Sequence, residues 1–120
     1  MSLSIIIPCK NEEKIIDKTI EKIFKDINDI EIELIIIDDF SDDRTHQIVE
    51  NLKENYKNIK LIKNLDQGGL GEAIKNGIKN SSKKYLCFYM ADMSDSVEDM
   101  IKYYQNISES DLDAVLGSRF

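Results

Sequence analysis

Tyr85-Leu86-Cys87-Phe88-Tyr89-Met90-Ala91-Asp92-Met93-Ser94-Asp95 runs through apolar, mostly large residues and then breaks at two carboxylates. The length and aromatic content of the run predict a short buried strand rather than a helix, and such strands belong to parallel sheets covered on both faces. In open α/β sheets ligands bind just beyond the carboxyl ends of the strands. Asp92 and Asp95 therefore fall where a ligand is expected. The plainer alternative is that Asp95 or Ser96 caps the helix that follows. A functional reading needs other acids at other strand ends.

Those acids appear on either side. Residues 3–7 form an apolar strand that Pro8 is expected to end, because its ring removes a ladder donor. Ile15, Ile16, Ile20, Ile23, Phe24 and Ile27 then recur at helical spacing. Asn11 stands where an N-cap would, and Glu12 suits the positive end of the helix dipole, so both read equally as helix-start residues or as ligand groups. A second strand at 32–37 ends in Asp38-Asp39-Phe40-Ser41-Asp42-Asp43, and Ile48, Val49, Leu52 and Tyr56 mark the next helix. One cap at Ser41, Asp42 or Asp43 would leave the other acids without a role.

A third strand at 59–62 leads through Asn64 to Gly71 into a helix with Leu70, Ala73, Ile74, Gly77 and Ile78 on one side. After the fourth strand, at 85–90, come a helix marked by Val97, Met100, Ile101, Tyr104 and Ile107 and a fifth strand at 114–117. Strict alternation of strand and helix with short connections is the signature of βαβ units. Right-handed crossovers leave few topologies. An order of 3-2-1-4, with the fifth strand beyond, sets the loops after Pro8 and Asp92 facing each other across one crevice.

Composition narrows the function. The chain has 120 residues, 42% hydrophobic and 32% charged, which fits one globular domain. No apolar run approaches the ~20 residues that span a bilayer. Two cysteines, Cys9 and Cys87, are too few for a disulfide framework, and free thiols in a reducing cytosol are expected. A net charge of −7 without a basic stripe argues against nucleic acid. The acidity also constrains any phosphate ligand. Like charges about 4 Å apart repel by roughly 4 kcal/mol at an effective dielectric near 20. An acidic cleft that holds a diphosphate therefore needs a bridging cation, for which Mg²⁺ or Mn²⁺ suits oxygen ligands.

Other motifs fall away. Gly69-Leu70-Gly71 begins like a dinucleotide fingerprint, but Ile74 occupies the third glycine position and the segment follows the third strand. It reads instead as a turn into a helix packed closely through Ala73 and Gly77. His46 is the only histidine, so neither a catalytic dyad nor a zinc site is built around it. What remains is Glu12, Asp38, Asp39, Asp43, Asp92 and Asp95 on one rim, with Asn11 and Ser41 as neutral hydrogen-bonding groups and Arg119 as a phosphate-binding fork.

Five blocks in this order resemble the family-2 glycosyltransferases, and most closely their dolichyl- or polyprenyl-phosphate sugar transferase branch. They are residues 4–13, residues 37–43, residues 64–77, Ala91-Asp92 and Gly117-Ser118-Arg119. The resemblance implies the GT-A (Rossmann-like) fold, a mostly parallel sheet with helices on both faces. It implies inverting transfer of a sugar from a UDP- or GDP-sugar, assisted by Mg²⁺ or Mn²⁺, to an acceptor such as a polyprenyl phosphate or a saccharide. Pro8, Asn11 and Glu12 would contact the nucleotide, Asp38 would bond the base, and Asp39 and Ser41 would support that pocket. Asp92 matches the metal-binding acid of an Asp-X-Asp motif, Asp95 would assist it, and Arg119 would meet donor phosphates.

Two departures qualify this expectation. Met90 replaces the first acid of the motif and cannot ligate Mg²⁺. The family's domain also continues past the Gly-Ser-Arg block, so residues 1–120 correspond to the nucleotide-sugar-binding part, with the acceptor site and general base expected beyond Phe120. A non-catalytic nucleotide- and metal-binding module of the same fold is the alternative. A phospho-acceptor receiver domain is remote, since Pro8 and Asn64 stand where it needs acids. The parent protein is expected in the cytoplasm, by resemblance at a membrane face.

Overall fold

The computed structural model of the protein describes residues 2–92 and 96–108. Four parallel strands, β1 (Ser2–Cys9), β2 (Glu31–Asp38), β3 (Ile59–Lys63) and β4 (Tyr85–Phe88), form one sheet in the order β3-β2-β1-β4. The intervening helices are α1 (Ile16–Asp26), α2 (Thr45–Leu52), α3 (Leu70–Lys79) and α4 (Val97–Ser108). The fold class and strand order expected from the alternating pattern are those found. The expected fifth strand at 114–117 lies outside the described residues.

Side-chain alternation along β1 divides the core. Leu3, Ile5, Ile7 and Cys9 enter the larger cluster with Ile16, Ile20 and Ile23 of α1 and Val49 of α2. Ile6 enters the smaller one with Ile35, Ile37 and Ala73 of α3. A strand buried on both faces must read as a continuous apolar run, which is why residues 3–7 contain only one polar side chain, Ser4. Ser4 is satisfied by donating to Glu33 Oε2 at 2.6 Å.

Three expectations are corrected. Pro8 does not end β1, which pairs with β2 through Pro8↔Ile37 and Cys9↔Asp38. Ile6 O accepts from Tyr89 N and Cys9 O accepts from Asp39 N, so alternate residues look toward β4 and β2. Pro8 shares the phase of Ile6, and its missing donor faces β4 just beyond that strand's end at Phe88. β4 is correspondingly shorter than the expected 85–90, which puts Met90 in the connection. In α3 the inward residues are Ala73, Asn76 and Gly77, while Leu70 and Ile78 are exposed. The helix rotates this way because Gly77 sits directly on the sheet, where an added Cβ would lie 2.3 Å from Ile6 Cγ2.

Candidate active site

The carboxyl ends of the strands open into a cleft of about 200 Å³ between β1 and β4. Pro8 and Cys9 at the end of β1, with Lys10 and Glu12 beyond it, form one lip, and Met90, Ala91 and Asp92 form the lip after β4. Asp39, after β2, and Leu70 and Ala73 of α3 complete the wall. The crevice thus lies at the switch point, where β2 runs to one side of β1 and β4 to the other.

The β1 and β2 loops are bonded into one unit. Asn11 N donates to Ser41 Oγ at 3.0 Å, and Asp42 N donates to Asn11 Oδ1 at 2.7 Å. Glu12 N donates to Thr45 Oγ1 at 2.9 Å and Glu13 N to Asp43 Oδ2 at 3.2 Å. Asn11 is therefore not the N-cap of α1: that position is Ile15, without a side-chain cap bond. Asn11 instead takes a left-handed backbone (φ 54°), which asparagine tolerates better than most residues, and joins the two loops. Asp43 serves the start of α2 by accepting from Thr45 N at 3.0 Å. Ser96 similarly accepts from Asp99 N at 3.2 Å at the start of α4.

Asp38 and Asp39 point to different tasks. Asp38 is 5% exposed, with Oδ1 accepting from Ser41 N at 3.1 Å and Oδ2 lying 3.1 Å from His46 Nδ1. It holds its own loop and is absent from the cleft wall. Asp39 is the acid of this pair that lines the cleft. Its Oδ1 accepts from Asn64 Nδ2 and Gly69 N, both at 2.9 Å. Burial works to raise its pKa, but the Asn64 and Gly69 bonds and the Lys10 charge outweigh it and hold the carboxyl below the usual aspartate range. Asp39, expected to support the pocket, lines the cleft, and Asp38, expected to bond the base, lies off its wall.

Acidic charge concentrates around β1. Cys9 is buried, and that burial together with the charges of Asp38, Glu12, Asp43 and Asp39 pushes its thiol up to about 12. The pKa of Glu12 is raised by burial and then by Asp92 and Asp43. Glu12 and Asp92 thus sense each other across the opening. Among the described residues no three acidic, histidine or cysteine side chains group as a metal site. Two facing carboxylates nonetheless fit a hard cation that takes its remaining ligands from a diphosphate and water. Met90 lines the cleft with a thioether and adds no oxygen ligand. Asp95 and Arg119 lie outside the described residues.

The structure adds residues that the sequence reading passed over. Lys10 is the one cation on the described cleft wall. His46 lies with its Nδ1 3.1 Å from Asp38 Oδ2, and its position in the first turn of the helix after β2 is the sequence signal for that pairing. Asn64 donates to Asp39 and to Gly69 O and accepts from Asn76 Nδ2 at 2.8 Å. Its place immediately after β3, level with Asp38 and Asp39 after β2, marked it as another strand-end residue.

Residues 4–120 match the family model described as Glycosyl transferase family 2. A dolichol-phosphate mannosyltransferase from Pyrococcus furiosus is 28% identical over 120 residues, covering 100% of this chain and 34% of that protein. A dolichyl-phosphate beta-glucosyltransferase from Dictyostelium discoideum is 33% identical over 129 residues, covering 98% of this chain and 39% of that protein. The solved structure of S. aureus TarS 1–349 in complex with UDP-GlcNAc superposes with a TM-score of 0.74 at 28% identity, over 91% of this chain and 32% of that one. The chain spans well under half the length of these relatives.

Proposed function

The chain belongs to glycosyl transferase family 2, and from that premise we propose that its cleft binds the nucleoside diphosphate sugar of a transfer reaction. The observation that carries the reading is the placement of Glu12 and Asp92 on facing lips of one cleft with Asp39 on its wall. Repelling carboxylates in a concave site are stabilised by a cation, and a cation makes the same site hospitable to diphosphate. The UDP-GlcNAc complex of TarS supports a UDP-sugar donor, and the dolichol-phosphate relatives support a polyprenyl phosphate acceptor.

In this reading Asp39 presents its Oδ2, which carries no hydrogen bond among the described residues, to an N–H of the base or a hydroxyl of the ribose. Pro8 shapes the wall beside it, while the Asn11–Ser41 junction, bonded to Asp38, joins the loops behind that wall. Asp92, with Glu12 opposite, holds Mg²⁺ or Mn²⁺. The metal would supply charge neutralisation for the departing nucleoside diphosphate. Lys10 adds a fixed positive charge to the same wall. Asp95 and Arg119 remain candidates for the metal and the phosphates, and a general base is expected in the part of the relatives that this chain does not span. No described helix is long and apolar enough to cross a membrane.

Calorimetric titration of UDP and GDP, with Mn²⁺ and with EDTA, tests the proposal. One diphosphate should bind more tightly with Mn²⁺, and Asp92→Ala should lose that gain by about tenfold or more. Unchanged affinity in Asp92→Ala refutes the metal assignment. A second reading, a binding module without transfer activity, is favoured by Met90 at the first motif position. Sugar-nucleotide turnover by the chain would eliminate it.

A further inference from the structure

We propose that Thr19 is a positioning residue of the cleft, whose hydroxyl sets the separation of the Glu12 and Asp92 lips. The inference rests on the reading of the cleft as a diphosphate and cation site. Thr19 is 1% exposed and lies in the first turns of α1. Its Oγ1 donates to Ala91 O at 2.7 Å, a bond across 72 positions of sequence. The same hydroxyl lies 3.2 Å from Ile15 O, the usual acceptor four residues back for a helical threonine. A hydroxyl has one proton, and the shorter contact goes to the cleft lip.

The start of α1 also fixes the opposite lip. Glu12 O accepts from Ile15 N at 3.1 Å and Ile16 N at 2.9 Å, so Glu12 is tied to the beginning of the same helix. A rigid stretch of helix therefore spans the two sides, anchored to Glu12 at one end and to the Ala91 carbonyl through Thr19 at the other. Ala91 is 2% exposed and immediately precedes Asp92. A buried carbonyl that loses its donor must move or remain unsatisfied. Either outcome displaces the Ala91–Asp92 peptide.

The test compares Thr19→Val, which keeps the shape and removes the hydroxyl, with Thr19→Ser, which keeps the hydroxyl. UDP affinity is measured by calorimetry with Mn²⁺ and with EDTA, on protein shown to be folded by circular dichroism. Thr19→Val should lose about tenfold of the Mn²⁺-dependent gain and change metal-free affinity by less than about twofold, and Thr19→Ser should restore the gain. Should Thr19→Val not fold, Thr19→Ala against Thr19→Ser at low temperature makes the same comparison. A full Mn²⁺ gain in the hydroxyl-free variant overturns the role of Thr19 and leaves the cleft assignment standing. An equal loss with and without metal also overturns it, since a general packing defect would do the same. Absence of any UDP binding by the unmodified protein overturns the cleft assignment and this inference together.

Discussion

Replacing Gly68 with alanine should damage both stability and nucleotide binding, because the added Cβ meets Asp39 Oδ1 where Asn64 and Gly69 bond it. Gly68 adopts φ +76°, and a Cβ there would lie 2.5 Å from Asp39 Oδ1 and 2.9 Å from Phe40 Cδ2. A left-handed backbone costs an L-residue roughly 1–2 kcal/mol. Moving Asp39 Oδ1 also weakens the bonds from Asn64 and Gly69, each worth about 1.5–3 kcal/mol to a charged acceptor. With partial relaxation the sum is about 3 kcal/mol, which lowers Tm by about 10 °C in a domain of this size. Gly69 supplies the control. It has φ +94° with ψ 167°, a region essentially confined to glycine, but nothing within 4 Å of an added Cβ, so Gly69→Ala should show only the backbone cost, about 1–3 kcal/mol. Gly71 has no positive φ and no close neighbour, and Gly71→Ala in α3 should stabilise by up to about 1 kcal/mol. Thermal unfolding followed by circular dichroism ranks the three, and UDP titration should show about a tenfold loss for Gly68→Ala. Equal Tm losses for Gly68→Ala and Gly69→Ala, with UDP affinity intact, would refute the account of Asp39 as a clamped cleft residue.

Two further outcomes follow from buried ionisable groups. Glu33 is 5% exposed, and burial would raise its pKa, yet bonds from Ser4 Oγ, Ser82 N, Lys60 Nζ and Ser82 Oγ bring it down to about 2. Because the folded value lies below the ordinary 4.5, its contribution is complete above pH 4.5 and is lost as pH falls toward 2. The shift corresponds to up to about 3 kcal/mol. Urea midpoints measured across this range should fall for the unmodified protein and fall less for Glu33→Gln, which should already be weaker at pH 7; identical acid limbs would show that Glu33 is not the group responsible. Cys9, with its thiol pushed up to about 12, should resist a thiol reagent at pH 8 until the chain unfolds, leaving half-buried Cys87 as the reactive thiol of the native state. Mass spectrometry of the labelled protein decides this, and rapid native labelling at Cys9 would contradict the packing around β1.

The fold was legible because period and chemistry agree along the chain. Residues 3–7 and 32–37 are nearly all apolar since both faces of those strands are covered, and the spacing of Ile16, Ile20 and Ile23 has one physical meaning. Failures occurred where tertiary contact overrides local preference. Pro8 breaks most ladders, but β4 stops short of it, and sequence does not reveal where a neighbouring strand ends. Leu70 and Ile78 carry the hydrophobicity of α3, yet Gly77 controls its rotation by permitting contact with Ile6. Asn11 fits an N-cap by residue type, while its actual partners, Ser41 and Asp42, are 30 and 31 positions away.

The candidate site was legible to a different depth. Acids at the ends of β1, β2 and β4 announce a strand-end cluster, but they do not announce which carboxylates face inward. Asp38 and Asp39 are neighbours of identical chemistry, and only their partners separate them. Asp38 has both oxygens engaged within its loop and helix start, whereas Asp39 has both bonds on one oxygen and lines the cleft. The same reasoning explains why the acids do not simply repel one another apart. Asp43 is occupied by Thr45 and Glu13 N, Asp38 by Ser41 and His46, and Asp39 by Asn64 and Gly69. Glu12 differs, since burial and the facing Asp92 raise its pKa. The electrostatic cost is thus quenched by hydrogen bonds at the acids packed behind the cleft and remains at its mouth, where the proposed cation would remove it.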